Sequence, residues 1–275
     1  MTSNEPEIRQ EDILVLQDDQ FQNDNVCIVA GAGTEIGRAT AIAAAANKLM
    51  TVGFDNNEDE GKKTQRLARE TGGQMIFIRI DLQKDEEVEY GVMEAAKLGT
   101  IKYLANIAGI QHCDAVENFP MKEYDQMQHI LLRAPFYLSQ LTMSHMKKSA
   151  DGTGVIGNTA VILGRQCIGN QTVNNITEFG LRALSQSIAD DGAGKIRSFA
   201  VRRRRVKIPP AINQKSVQDK QQRIGLQEVV CDVPSRIKAM ISPITVANLF
   251  IFGFSRFARY LTGGELLFDS GAVLI

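Results

Sequence analysis

Val26–Asn47, VCIVAGAGTEIGRATAIAAAAN, runs from an uninterrupted apolar stretch through glycines 31, 33 and 37 into an alanine-rich run. Apolar residues without alternation fit a strand buried on both faces, and IGRATAIAAAAN (36–47) fits a helix folded back onto it. The same order repeats outward from this unit. MTVGF (50–54), QMIFIRI (74–80), IKYLANIA (101–108), VIGNTAV (155–161), IRSFAV (196–201) and ELLFD (265–269) read as strands. Between them, helices are predicted at 57–70, 84–97, 121–148 and 172–190, with helical pieces in 215–255. Strands alternating with helices of this length imply an α/β, doubly wound parallel sheet covered on both faces. Residues 25–275 read as one domain. Residues 1–24 are rich in Asp, Glu, Gln and Asn with one short apolar island at Ile13–Leu16, and are expected to form an arm that packs on a surface or a partner.

Composition excludes more than it assigns. The chain has 275 residues, 44% apolar and 23% charged, with a formal net charge of −1, so nothing global draws it to nucleic acid or to an anionic membrane. The four cysteines form no C-x-x-C pair and the three histidines have no metal-ligand spacing, so no metal site is expected. The first residues carry no secretory pattern, and no run of about 18 apolar residues occurs, which points to the cytoplasm and away from the membrane. Arg202–Arg205, followed by Lys207, is the strongest charge cluster. It reads either as a solvated or ion-paired patch, or as an anion site for a coenzyme A phosphate or an acidic partner surface.

AGAGTEIGRA (30–39), the strand-end Asp55, IDL (80–82), ANIAGIQH (105–112), RAPFYLSQ (133–140), ITEFGLRAL (176–184) and YLTGGELLFDSG (260–271) occur in order, and together they resemble the short-chain dehydrogenase/reductase family. The resemblance covers residues 22–275 and implies a Rossmann-like fold. NIAGIQHCDAVENFP (106–120) is similar to the hydroxybutyrate-dehydrogenase branch, whose members act on small hydroxy acids or acyl thioesters. In that branch the segment matched by Gln111 and His112 contacts the acyl carboxylate.

The resemblance also implies a cofactor site, with Gly31 and Gly37 in a glycine-rich turn that lets backbone amides approach a dinucleotide pyrophosphate. Asp55 would accept the adenosine ribose hydroxyls of NAD, and Asp81 matches the adenine-contacting position. For both carboxylates the competing reading is a solvated group ending a strand. Glu35 occupies the middle glycine position. At about 5 Å and an effective dielectric of about 20, its charge repels a phosphate charge by about 3 kcal/mol, about a hundredfold in affinity, so cofactor binding here is expected to be vestigial.

The hydride-transfer residues implied by the family are missing in the same way. Where the family's helix reads S-x-Y-x-x-x-K-F-G-L, QTVNNITEFGLRAL (171–184) has Asn174 at the tyrosine and Glu178 at the lysine. Counting back from Asn174 puts Val161 at the catalytic serine, and the RAPF match puts Leu131 at the relay asparagine. An amide exchanges no proton near neutral pH, a valine polarises no substrate oxygen, and a carboxylate reverses the field that a lysine supplies. None of the five tyrosines has a lysine four residues on, so a shifted alignment restores nothing. Ile107, Arg203–Arg204 and Ile208 replace further cofactor-side residues.

The reading that follows is a non-catalytic subunit of a hetero-oligomer, a tetramer by analogy, paired with an active paralogue that holds NAD and acts on a hydroxyacyl-CoA. Leu131, Leu138 and Leu141 on one helix, and Ile176, Phe179 and Ala183 on the next, are candidates for core or for the subunit seam. Two alternatives stay open: a dinucleotide-sensing or regulatory protein on the same fold, and an active dehydrogenase with relocated residues.

Overall fold

The computed structural model of the chain describes residues 8–33, 35–161, 167, 169–203 and 241–271. Seven strands, β1 (Asn25–Ala30), β2 (Met50–Asp55), β3 (Met75–Arg79), β4 (Thr100–Asn106), β5 (Gly154–Val161), β6 (Ile196–Arg203) and β7 (Gly264–Phe268), form one parallel sheet in the order β3-β2-β1-β4-β5-β6-β7. The order reverses between β1 and β4. In a doubly wound sheet the crevice at the carboxyl ends of such strands is where ligands bind.

Alternation along each strand feeds two cores. Cys27, Val29, Tyr103, Phe199 and Val201 pack on one side against α1 (Glu35–Ala46), α2 (Glu58–Glu70) and α7 (Pro243–Phe254). Val26, Ile28, Phe54, Leu104 and Ile156 pack on the other against α3 (Asp85–Ala96), α5 (Ala134–Lys148) and α6 (Thr172–Asp191). Helix ends carry their expected signals: Asn57 accepts from the Glu60 N–H at the start of α2, and Ser242 caps α7 with Pro243 in its first turn.

The helical region expected over 121–148 is interrupted. α4 (Met121–Gln128) passes into a π-helical turn, His129–Arg133, before α5 begins. Pro135 has no N–H to give the Leu131 carbonyl and its ring crowds that carbonyl, so the wider turn relieves a conflict that a regular helix would contain. The helical pieces expected in 215–255 lie outside the described residues except for α7.

Residues 8–24 lie against their own chain. Asn248 of α7 accepts from Leu14 N–H at 2.9 Å and donates to Asp12 O at 2.8 Å. Asn47 does the same to Leu16 N–H and Leu14 O, at 2.8 Å each. Two side-chain amides thus satisfy this backbone as a neighbouring strand would, while Ile13 and Phe21 are buried in the α1–α7 core.

Candidate functional site

The β1–α1 turn is held by contacts within the chain. Gly31 and Ala32 N–H both donate to Phe54 O, and Ile107 and Ala108 N–H both donate to Ala30 O, stitching the ends of β1, β2 and β4 together. Gly31 has φ +91°, and a Cβ there would lie 2.6 Å from the Ala108 backbone. A Cβ on Gly37 would lie 1.8 Å from Gly31 O. Both glycines are therefore required by close backbone approach, whatever else they permit. Asp55 Oδ2 accepts from Gly33 N–H at 2.8 Å and its Oδ1 from Asn57 N–H at 3.0 Å, so this carboxylate ties the turn to the start of α2. Arg38 is buried, donates to Gly33 O and to Thr64 Oγ1, and pairs with Glu60. Asp81 holds a turn of its own, accepting from Gln83 N–H at 3.0 Å.

Glu35 opens α1 with φ +47°, a left-handed conformation that favours glycine. Burial pushes its carboxyl above the ordinary value of 4.5, against which the charge of Arg203 works. Arg203 ends β6 beside Val161, the last residue of β5. By alternation it continues the face of Phe199 and Val201, where α7 packs against β6 through Phe250 and Phe254. Burial lowers the affinity of its guanidinium for the proton, and the charges of Glu178 first, then Glu35, offset only part of that.

On α6, Asn174 and Glu178 both point inward, at 7% and 8% exposure. Asn174 Nδ2 donates to Gln171 Oε1, which also receives Gln111 Nε2 at 3.4 Å. Gln171 is buried and its Nε2 lies 2.8 Å from Cys113 Sγ. The structure thus brings Gln111 and Asn174 together as members of one amide cluster. His112 packs edge-on to Phe119, with Nδ1 4.0 Å from Glu123. Leu131 lies in the π turn and approaches Gly109, where an added Cβ would be 3.5 Å from its Cδ2.

Of the arginine cluster, Arg202 is fully buried and its Nε donates to Glu265 at 2.7 Å, with Arg182 3.3 Å from the same carboxylate. Arg204, Arg205 and Lys207 lie outside the described residues. Arg202 and Arg203 point to opposite faces of the sheet, so the run is divided between two environments. Sequence reading missed Arg38, Cys113 and Gln171, and also the buried chain Asn106 Nδ2 to Asn158 Oδ1 (2.8 Å) and Asn158 Nδ2 to Ser185 Oγ (2.9 Å). An asparagine inside an apolar strand was the available signal for that last pair.

On the outer side of α4, the π turn, α5 and α6 lies a groove of about 610 Å³ that includes Gln128, Leu132, Phe136, Gly180 and Leu184. Phe136, Ile176 and Phe179 are exposed at 53%, 46% and 42%, whereas Leu138 is core. Among the described residues no cluster of metal-binding side chains occurs, and no helix is long and apolar enough to cross a membrane.

A family model described as enoyl-(acyl carrier protein) reductase matches residues 31–273. Relatives include an uncharacterized oxidoreductase of Thermotoga maritima, 30% identical over 60% of this chain, and a levodione reductase of Leifsonia aquatica, 29% identical over 60%. The matched stretch is 65% and 63% of those relatives' own length. The uncharacterized oxidoreductase YxjF of Bacillus subtilis is 27% identical over 90% of this chain and 97% of its own. With the seven-stranded parallel sheet and the β1–α1 glycine turn, these matches mean that the chain belongs to the short-chain dehydrogenase/reductase family of oxidoreductases.

Proposed function

We propose that this chain is a non-catalytic subunit of a hetero-oligomeric, NAD-dependent short-chain dehydrogenase, and that an active paralogue in the same assembly carries the cofactor and the chemistry. The observation that carries the reading is the content of the inner face of α6: Asn174 is buried and engaged with Gln171, and Glu178, one helical turn on, is buried on the same face. An amide bonded to an amide offers no group that takes or gives a proton near neutral pH. A carboxylate at the lysine position favours the protonated form of any neighbouring acid, the opposite of what alcohol oxidation requires.

The family binds NAD or NADP, and the residues described here do not fit a pyrophosphate. Glu35 places a carboxylate in the first turn of α1, where the phosphates of a bound dinucleotide would meet backbone amides and the positive end of the helix. The retained Gly31 and Gly37 do not argue the other way, because backbone packing alone requires them. Asp55 has both oxygens on backbone N–H groups.

The exposed apolar face of Phe136, Ile176 and Phe179 on α5 and α6 supports an assembly role, and the active paralogue is its proposed occupant, in a tetramer. For substrate, the likeness of Asn106–Pro120 to the hydroxybutyrate-dehydrogenase branch supports a hydroxyacyl-CoA. The degenerate subunit of the two-subunit enzyme that oxidises 2-(α-hydroxybenzyl)succinyl-CoA in anaerobic toluene degradation is the system it resembles. The site of action on this reading is the cytoplasm.

The test is to express the chain with and without a neighbouring active dehydrogenase, then measure native mass and NAD bound per chain. A mixed assembly with about half of the chains occupied is expected. A homo-oligomer of this chain with every site filled contradicts the proposal.

A further inference from the structure

Residues 8–21 are held to the body of the chain in a manner unlike any strand of the sheet. Among the described residues no backbone–backbone hydrogen bond joins them to a residue beyond 21, so the ladder of β1 does not extend into them. Side chains hold their backbone instead. Asn47, 2% exposed just past the end of α1, accepts from Leu16 N–H and donates to Leu14 O, and Asn248 of α7 accepts from Leu14 N–H and donates to Asp12 O. The two amides thus meet alternate residues on one edge of an extended segment, the period at which a strand presents its groups.

The side chains of the segment add selectivity. Ile13 is buried in the core that α1 and α7 share, and Phe21 packs edge-on to Tyr103 with ring centroids 5.8 Å apart, whereas Val15 is 58% exposed. Past α7, Arg256 gives its backbone N–H to Asp18 Oδ2 at 2.6 Å and its guanidinium to Gln17 O at 3.1 Å, 3.3 Å from Asp19. Alternate backbone groups satisfied along one edge, with an apolar anchor and an acid at set positions, are the contacts by which a strand-like site binds a peptide.

We infer that the cleft formed by the end of α1 and by α7 is a recognition site for an extended peptide, that residues 8–24 fill it as a tethered ligand, and that it takes the same segment in trans from a second copy of the chain when the tethered one is released. β1 is the tether. Every copy carries both cleft and ligand, so exchange between copies replaces each contact with an identical one. A short tether gives its ligand a local concentration on the order of 1 mM. A cleft with an intrinsic Kd on the order of 10 μM is then about 99% filled by its own segment, and an added peptide meets it about a hundredfold more weakly than it meets an empty cleft.

The probe is a fluorescent synthetic peptide of residues 8–24, titrated into the full-length chain and followed by anisotropy. Ile13→Asp with Leu14→Pro alters the tethered segment alone, withdrawing the apolar anchor and the N–H that Asn248 accepts, and leaves the cleft as it is. This variant should bind the probe in the micromolar range, about a hundredfold tighter than the unsubstituted chain, and adding Asn248→Ala to it should weaken binding about tenfold. If the released variant loses its folded circular dichroism spectrum, or stays folded and binds the probe no better than the unsubstituted chain, the segment is an integral part of the fold and the inference is overturned. Hydrogen exchange on the unsubstituted chain needs no variant: the amides of Leu14 and Leu16 should exchange about tenfold or more faster than those of Cys27 and Val29 in β1, and equal protection would mean that the segment opens only with the whole fold. Either failure leaves the non-catalytic reading untouched.

Discussion

Gly37→Ala separates a glycine kept for folding from one kept for a cofactor. The added methyl would sit 1.8 Å from the carbonyl oxygen of Gly31, so a backbone atom of the β1–α1 turn must move by about 1 Å or more. That oxygen belongs to a turn fixed by Gly31 and Ala32 N–H on Phe54 O and by Arg38 on Gly33 O, so it has little room to yield. Overpacking of ordinary size costs about 1–3 kcal/mol; collision with a constrained backbone lies at or above the upper end. Alanine returns about 1 kcal/mol through its better helix propensity. The net loss is expected to be about 2–4 kcal/mol. Urea unfolding followed by circular dichroism, on protein free of nucleotide, measures it. A change within about 0.5 kcal/mol of zero would mean that packing does not require this glycine, and the argument that the turn outlived its ligand would fail.

Arg197 donates to the carbonyls of Gly253, Phe254, Ser255, Ala258 and Leu261 at 3.0–3.3 Å, so Arg197→Met should lower stability by about 2–4 kcal/mol in urea unfolding. Asn248→Ala removes both bonds to the N-terminal segment and should cost about 1–2 kcal/mol, with faster proteolytic cleavage within residues 8–24 than elsewhere. The carboxyl of Glu35 is raised by burial in the folded chain, so its ionisation opposes folding. That contribution is absent below the ordinary glutamate value of 4.5 and complete once pH passes the raised value. Stability of Glu35→Gln relative to the parent should therefore increase from pH 4 to pH 7, and a difference that is flat or falling over this window contradicts the assignment.

The fold was legible because its signals are local. VCIVA and the glycines after it announce a strand, a turn and a helix in 22 residues, and the pattern recurs often enough to fix a doubly wound sheet. Individual ends were less so. β6 runs to Arg203, two residues past IRSFAV, because Glu265 of β7 neutralises Arg202 inside the sheet, a partner 63 residues away that periodicity cannot reveal. The break at His129–Arg133 was foreshadowed by Pro135.

In the site, position along the sequence identified Asn174 and Glu178, and the structure places both on the inner face of α6. What the sequence could not give was their company. Gln171 and Cys113 meet across 58 residues, and the tetra-arginine run reads as one patch until the pleat sends Arg202 and Arg203 to opposite faces.

The central claim is that this chain performs no hydride transfer of its own. A single-turnover experiment on the co-expressed assembly, mixing saturating NAD with hydroxyacyl-CoA substrate and recording the NADH burst, counts working sites against chains. The account requires a burst equal to the number of partner chains and none from this chain alone; a burst equal to the total number of chains, or NADH formed by this chain in isolation, would contradict it.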